Sequence, residues 1–264
     1  MISKAWQTHL RALQQKKYRQ EYTSFFVEGA KSVLELLASD FEIEQVFATE
    51  SFYKENERAF TVQRSGPVVR VEFATPDELV RAGTFTSNNA GLAVAKTKNQ
   101  PELAAGFNEW VLVLDDIRDP GNLGTILRVA DWYGLTKVVC SETTADFYNP
   151  KVLAASMGSF TRVSARYGPL DGYLRQHTNQ AVFGAFLDGE NLHKIQFPAS
   201  GYLVIGNESQ GISAGVEPFI THKITIPRFG GAESLNAGTA TAVVLDNVKR
   251  GSPRLPPTDP SDRP

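Results

Sequence analysis

The chain has 264 residues, 42% of them hydrophobic, enough for one large or two modest globular domains. A formal charge of −2 excludes a uniformly basic, indiscriminate nucleic-acid binder. The single cysteine, Cys140, excludes a disulfide framework or a cysteine metal site, and no apolar run approaches the roughly 18 residues of a membrane span, so a cytoplasmic location is expected.

Periodicity predicts a first helix over 5–15, with Trp6, Leu10 and Leu13 on one side. Lys4, Arg11, Lys16, Lys17 and Arg19 cluster around it, as either a solvated helix face or a nucleic-acid contact. "TSFFVEG" reads as a strand ending on glycine and "AKSVLELLASD" as a helix. The strand-like "EQVFATE", "PVVRVEF" and "AGLAVAK" then alternate with "TPDELVRAG", a helix with Thr75 as N-cap ahead of Pro76. This alternation predicts a smaller α/β domain over 1–98, and the polar stretch containing Pro101 predicts a linker over 99–108.

From 109 to 250 the apolar runs become nearly continuous: "WVLVLDD", "KVVC", "AVFGAF", "YLVIGN" and "KITIP". Such runs fit parallel strands covered on both faces, with Cys140 a buried strand residue. Ligands of such sheets bind beyond the carboxyl ends of the strands, which directs attention to "DDIRDPGNLG", "LDGEN", "GNESQGIS" and "PRFGGAESLN". The tail over 251–264 holds five prolines and is expected to be disordered.

Gly121 and Gly124 match neither a dinucleotide fingerprint nor a P-loop. A helix beginning near Asn122 buries Leu123, Ile126, Leu127 and Ala130, leaving Arg128 on the far side beside glycines, as either a solvated arginine or a site residue. Glu208 ends a hydrophobic strand and is either an exposed turn residue or a ligand-facing carboxylate. Ser234 is a candidate cap for a long helix whose Ala237, Gly238, Ala240 and Ala242 suit close packing on another backbone, that of a second subunit included. His9, His177, His193 and His222 are scattered and read as surface residues, so no metal is expected. No nucleophile elbow is present.

Taken together, "DPGNLGTILRVADWYG", "LVIGNESQGIS" and "ITIPRFGGAESLNAGTATAVV" resemble the three motifs of the SpoU/TrmH-type RNA ribose 2′-O-methyltransferases of the SPOUT superfamily, in order and spacing. "KYRQEYTSFFVEGAKSVLELL" is similar to the start of the ribosomal-protein-like substrate-binding domain fused to many members. The resemblance implies a parallel α/β sheet with a C-terminal trefoil knot, a homodimer, S-adenosyl-L-methionine as cofactor and RNA as substrate. Ribosomal RNA is favoured, with 23S rRNA and antibiotic resistance as narrower options. A tRNA methyltransferase and a non-catalytic RNA-binding protein are the alternatives.

Carried over by motif, Asn122, Arg128, Glu208, Ser234 and Asn236 match the polar active-site residues. Gly206, Ile226 and Leu235 match the main-chain cofactor contacts, and Asn207, Gly211, Pro227, Gly230, Ala185 and Leu187 complete the implied cofactor set. Arg228 and Phe229 depart from the family pattern, which usually has methionine after the proline.

Overall fold

The computed structural model describes residues 1–61, 69–99 and 102–250; the expected tail, Pro67 and Val68 of "PVVRVEF", and Pro101 lie outside these. In chain order the elements are α1 (Lys4–Leu13), α2 (Lys16–Tyr22), β1 (Ser24–Glu28), α3 (Ala30–Leu37), β2 (Ile43–Ala48), α4 (Glu50–Glu55), α5 (Glu57–Thr61), β3 (Val71–Phe73), α6 (Pro76–Ala82) and β4 (Gly91–Lys96). There follow β5 (Trp110–Leu114), α7 (Pro120–Trp132), β6 (Lys137–Cys140), α8 (Pro150–Ser156), β7 (Ser164–Tyr167), α9 (Leu170–Arg175), β8 (Val182–Asn191), β9 (Gly201–Ile205), β10 (His222–Thr225) and α10 (Ala237–Lys249). Among the described residues the chain forms two units, one of 1–99 with 148–161 and one of 102–147 with 162–250. No helix of the described residues is long and apolar enough to cross a membrane.

The first unit is built on a four-stranded sheet of order β1-β4-β2-β3, in which β4 is antiparallel to both neighbours and β2 is parallel to β3. Leu10 and Leu13 of α1 pack with Phe26, Phe47, Leu79, Leu92 and Val94, as their spacing requires. Thr75 closes a capping box with Glu78, which starts α6 where the sequence places it. The basic cluster divides. Lys4, Arg11, Lys16 and Lys17 are exposed, but Arg19 is 3% exposed and donates from Nη1 to the Leu13 carbonyl at 2.8 Å. Arg19 is therefore part of the join between α1 and α2, and the solvated set is smaller than the sequence suggested.

Residues 148–161 pack into this unit although they follow β6 in the chain. Tyr148 lies 4.6 Å from Phe25 between ring centroids, and Phe160 lies 6.1 Å from both Phe25 and Phe41. Gly158 has φ +95°, and a β-carbon there would overlap the Glu35 side chain, so both backbone and packing require glycine.

The second unit holds a six-stranded, wholly parallel sheet of order β10-β8-β9-β5-β6-β7. Every residue of β5 and β9 is buried, as the unbroken apolar runs predict. β7 was not legible in the sequence. It is an edge strand with no fully buried residue, so its composition ("SARY") carries no apolar run. Within the stretch expected as linker, Leu103 and Ala105 are buried in this unit's core, where Tyr173 donates to the Leu103 carbonyl at 2.6 Å and the Ala105 N–H donates to Tyr202 at 3.1 Å. Those main-chain bonds account for a backbone that leaves solvent without entering a helix or strand.

Two histidines expected at the surface are instead half-buried among aromatic rings: His9 beside Trp6 and Tyr22, and His177 beside Tyr173 and Tyr202. An imidazole face packs well on apolar rings, and at His9 burial lowers the pKa. Cys140 is completely buried on β6, and burial pushes its thiol up to about 12. Because only the thiolate reacts, a disulfide reagent at pH 8 is expected to leave Cys140 unmodified in the native protein and to titrate it fully in denaturant. Rapid labelling of the native protein would contradict this burial.

Candidate functional site

Because all six strands of the second sheet are parallel, the segments following β5, β9 and β10 leave from the same edge. The β5 segment turns at Asp116, which has φ +61° and donates its N–H to Ser141 Oγ at 2.9 Å. α7 then begins at Pro120, capped by Asp119, which accepts from the Asn122 N–H at 2.8 Å. The helix thus starts slightly before the expected Asn122. Its buried stripe is the predicted Leu123, Ile126, Leu127 and Ala130, with Gly124 buried as well. Gly124, one turn before Arg128, is therefore part of the packed face of α7.

After β9 the chain folds back on itself. Asn207 and Gly211 exchange main-chain hydrogen bonds of 3.0 and 2.8 Å, forming a closed turn. The Asn207 side chain accepts from Ser209 N–H at 2.8 Å and donates to the Asp116 carbonyl at 2.9 Å, which ties this turn to the β5 segment. Asp115, 4% exposed, accepts from Ser213 N–H at 2.7 Å and makes a second tie. Asp115 and Asp116 were not singled out from the sequence, although acidic residues directly after an apolar strand were the available signal. Burial opposes ionisation of Asp116, but bonds from Arg118, Thr143 and Asn207 outweigh it and hold its carboxyl below the ordinary value. A β-carbon on Gly206 would overlap the main chain of Gly211 and Ile212, so this turn closes only around glycine.

The third segment, 226–236, leads into α10, whose N-cap is Asn236. Asn236 Oδ1 accepts from Gly238 N–H at 3.0 Å and Thr239 N–H at 3.3 Å. Ser234, expected as a cap, is exposed and forms no hydrogen bond among the described residues; it lies three residues before Ala237, too far back for the role. Of the small residues of α10, Gly238 serves a contact within the chain. A β-carbon on Gly238 would come within 2.8 Å of Thr125 Cγ2 on α7, and further along Tyr133 donates to Asp246 at 3.3 Å.

One hydrogen-bonded cluster joins all three segments. Asn122 Nδ2 donates to Glu208 Oε1 at 2.9 Å, and Asn236 Nδ2 donates to Asn122 Oδ1 at 2.7 Å. Glu208 Oε1 also accepts from Ala237 N–H at 2.8 Å, setting a carboxylate at the positive end of α10. Arg128 is exposed, lies about 9 Å along α7 from Asn122, and forms no hydrogen bond or ion pair among the described residues. Of the five polar candidates, Asn122, Glu208 and Asn236 are brought into contact; Arg128 and Ser234 are not bonded to them.

Of the implied cofactor residues, Gly206, Asn207 and Gly211 share the closed turn. Ile226 and Pro227 are half-buried where the main chain leaves β10, and Gly230 is exposed further along that segment. Leu235 is 45% and Leu187 81% exposed. Leu187 and half-buried Ala185 belong to β8, which the sequence reading ended before "LDGEN". There the pairing with β10 jumps from Gly184 to Glu190, and the Leu187 carbonyl accepts from Thr225 at 3.2 Å, just before Ile226. Exposed leucines, the open positions at Gly211 and Gly230, and main-chain polar groups suit a nucleoside with an uncrowded cationic arm. These residues fit S-adenosylmethionine. A separate cleft of about 510 Å³ in the first unit, bordered by Phe52, Phe85 and Asn89, touches none of the candidates.

Residues 109–246 match the SpoU rRNA Methylase family, and residues 8–82 match the MRM3-like substrate binding domain. The chain is 28% identical over 240 residues to the 23S rRNA (guanosine(2553)-2′-O)-methyltransferase RlmP of Bacillus subtilis, covering 90% of this chain and 93% of that protein. It is similar in structure to a putative RNA methyltransferase of the TrmH family from Porphyromonas gingivalis, with TM-score 0.81, 32% identity and coverage of 95% and 99%. It shares the fold of the SpoU methyltransferase AviRb from Streptomyces viridochromogenes, solved with AdoMet, with TM-score 0.80, 23% identity and coverage of 96% and 100%.

Proposed function

The chain belongs to the SpoU rRNA methylase family, and on that premise we propose that it methylates a ribose 2′-oxygen of 23S rRNA, using S-adenosylmethionine. The observation that carries this reading is the Asn122–Glu208–Asn236 cluster, which holds three motif segments together at the carboxyl edge of a parallel sheet. In this reading residues 1–98 bind RNA and 109–250 hold the catalytic centre. The protein acts as a homodimer, and the adjacent helices α7 and α10, with Trp132 83% exposed, offer the face for the second copy.

S-adenosylmethionine supplies a methyl group on a sulfonium, which departs as a neutral thioether. The turn at Gly206–Gly211 and the main chain at Ile226, Pro227, Gly230 and Leu235 would hold the cofactor, and Leu187 and Leu235 would cover its apolar surface. Bound there, it would offer its methyl group to the ribose 2′-oxygen, with the C–S bond breaking as the C–O bond forms and the 2′-OH proton passing to water. Arg128 acts as a cation with a planar set of donors and not as a base. Its role is to hold the neighbouring phosphate and to favour the developing oxyanion. Asn122 and Glu208 orient the ribose or Arg128, and Glu208 Oε2 forms no hydrogen bond among the described residues. Ser234 and Asn236 shape the pocket.

The test is to map 2′-O-methyl positions in 23S rRNA from cells with and without the protein, and then to restore the missing position with purified protein and S-adenosylmethionine. One position that depends on the protein is expected. An unchanged 23S map with a lost tRNA methylation would move the substrate to tRNA, and failure to bind the cofactor by calorimetry would overturn the enzyme reading.

A further inference from the structure

The segment between β10 and α10 carries one large apolar side chain with nothing to bury it: Phe229 is 93% exposed. Leu187 and Leu235 are also exposed on segments framing this end of the sheet, but the cofactor assignment above covers both. Phe229 is left over.

Its position is restrained on both sides. Arg228 Nη1 donates to the Ala232 carbonyl at 3.3 Å and closes the turn that contains Phe229. Ala232 precedes Ser234 by two residues, so their α-carbons lie within about 7 Å of each other. Two residues further on, Asn236 is fixed by its bond to Asn122. Phe229 therefore stands in a turn on the segment that leads into the polar cluster.

Gly230 and Gly231 follow it. Neither has a positive φ, and a β-carbon on either would meet nothing within 4 Å. Neither the backbone nor the packing of this chain demands glycine there, so the absent side chains leave room for a group from outside the chain. A bare aromatic ring, next in the chain to an exposed arginine and followed by an uncluttered backbone, matches an unpaired nucleobase, which stacks on aromatic side chains while its phosphates meet positive charge.

We propose that Phe229 stacks on an unpaired base of the RNA next to the ribose that is methylated, and so acts as a positioning residue for the substrate. This rests on the RNA methyltransferase reading above. The test compares wild type with Phe229→Ala, Phe229→Leu and Phe229→Tyr on in vitro-transcribed 23S rRNA, with S-adenosylmethionine affinity measured separately by calorimetry. The alanine and leucine variants are expected to raise the KM for RNA about tenfold or more, with kcat and cofactor affinity within about twofold of wild type, and tyrosine is expected to restore KM. An unchanged KM in the alanine variant overturns the proposal, as does rescue by leucine equal to that by tyrosine. Loss of cofactor affinity without a change in RNA KM also overturns it, placing the ring over the cofactor. If wild type itself methylates no position, the function reading fails and the proposal falls with it; normal methylation by wild type and Phe229→Ala alike removes the stacking alone.

Discussion

Replacing Arg128 by alanine is expected to lower methyl transfer by about 10²–10³-fold while S-adenosylmethionine binding stays within about twofold. The side chain is exposed on α7, so its removal leaves no cavity and the helix keeps its buried stripe. The loss would therefore be read in turnover and not in thermal stability. Arg128→Lys separates two roles for the cation by the sign of its pH dependence. If charge is what matters, lysine supports partial activity that is flat with pH and falls once the ammonium deprotonates near about 10.4. If residue 128 removes the 2′-OH proton, the lysine variant instead gains activity as pH rises through that value. Normal methylation by both variants would remove Arg128 from the site.

Gly206→Ala is expected to be the most damaging single-methyl change in the motif loops. The atoms that its β-carbon would overlap belong to the main chain of Gly211 and Ile212, which cannot rotate aside as a side chain would. Opening the turn breaks the paired bonds between Asn207 and Gly211 and loosens the Asn207 ties to Asp116. A stability loss of about 1–3 kcal/mol or more is expected by thermal unfolding, together with at least about tenfold weaker cofactor binding by calorimetry. Gly211→Ala is the control. Its φ of +70° carries a strain of about 1–2 kcal/mol for an L residue, but nothing lies within 4 Å of the added carbon. If Gly206→Ala is no less stable than Gly211→Ala, the close approach is not what the turn depends on.

Much of the second unit's sheet was readable from composition, because strands covered on both faces must be apolar throughout: "WVLVL" and "YLVI" announce β5 and β9. The same logic explains the failure at β7, an edge strand with a partner on one side only and no fully buried residue. The caps follow a similar division. Thr75 was unambiguous because a proline and an acidic pair follow it, whereas Ser234 and Asn236 are both competent caps and only the helix start decides between them. Arg19 shows the limit for charge: its place in a basic cluster said solvent, and a backbone carbonyl made available by the turn after α1 drew it inward.

By itself the sequence determined the two α/β regions, the parallel class of the second sheet and the three motif segments, since each depends on local spacing and on which residues water excludes. It also singled out Asn122, Arg128, Glu208, Ser234 and Asn236 through their resemblance to one family. That Asn122, Glu208 and Asn236 meet, that Ser234 does not cap, and that residues 148–161 pack with the first unit is visible in the folded chain alone. These facts depend on contacts between residues up to more than a hundred positions apart, and local preference has no term for a partner that distant in the chain.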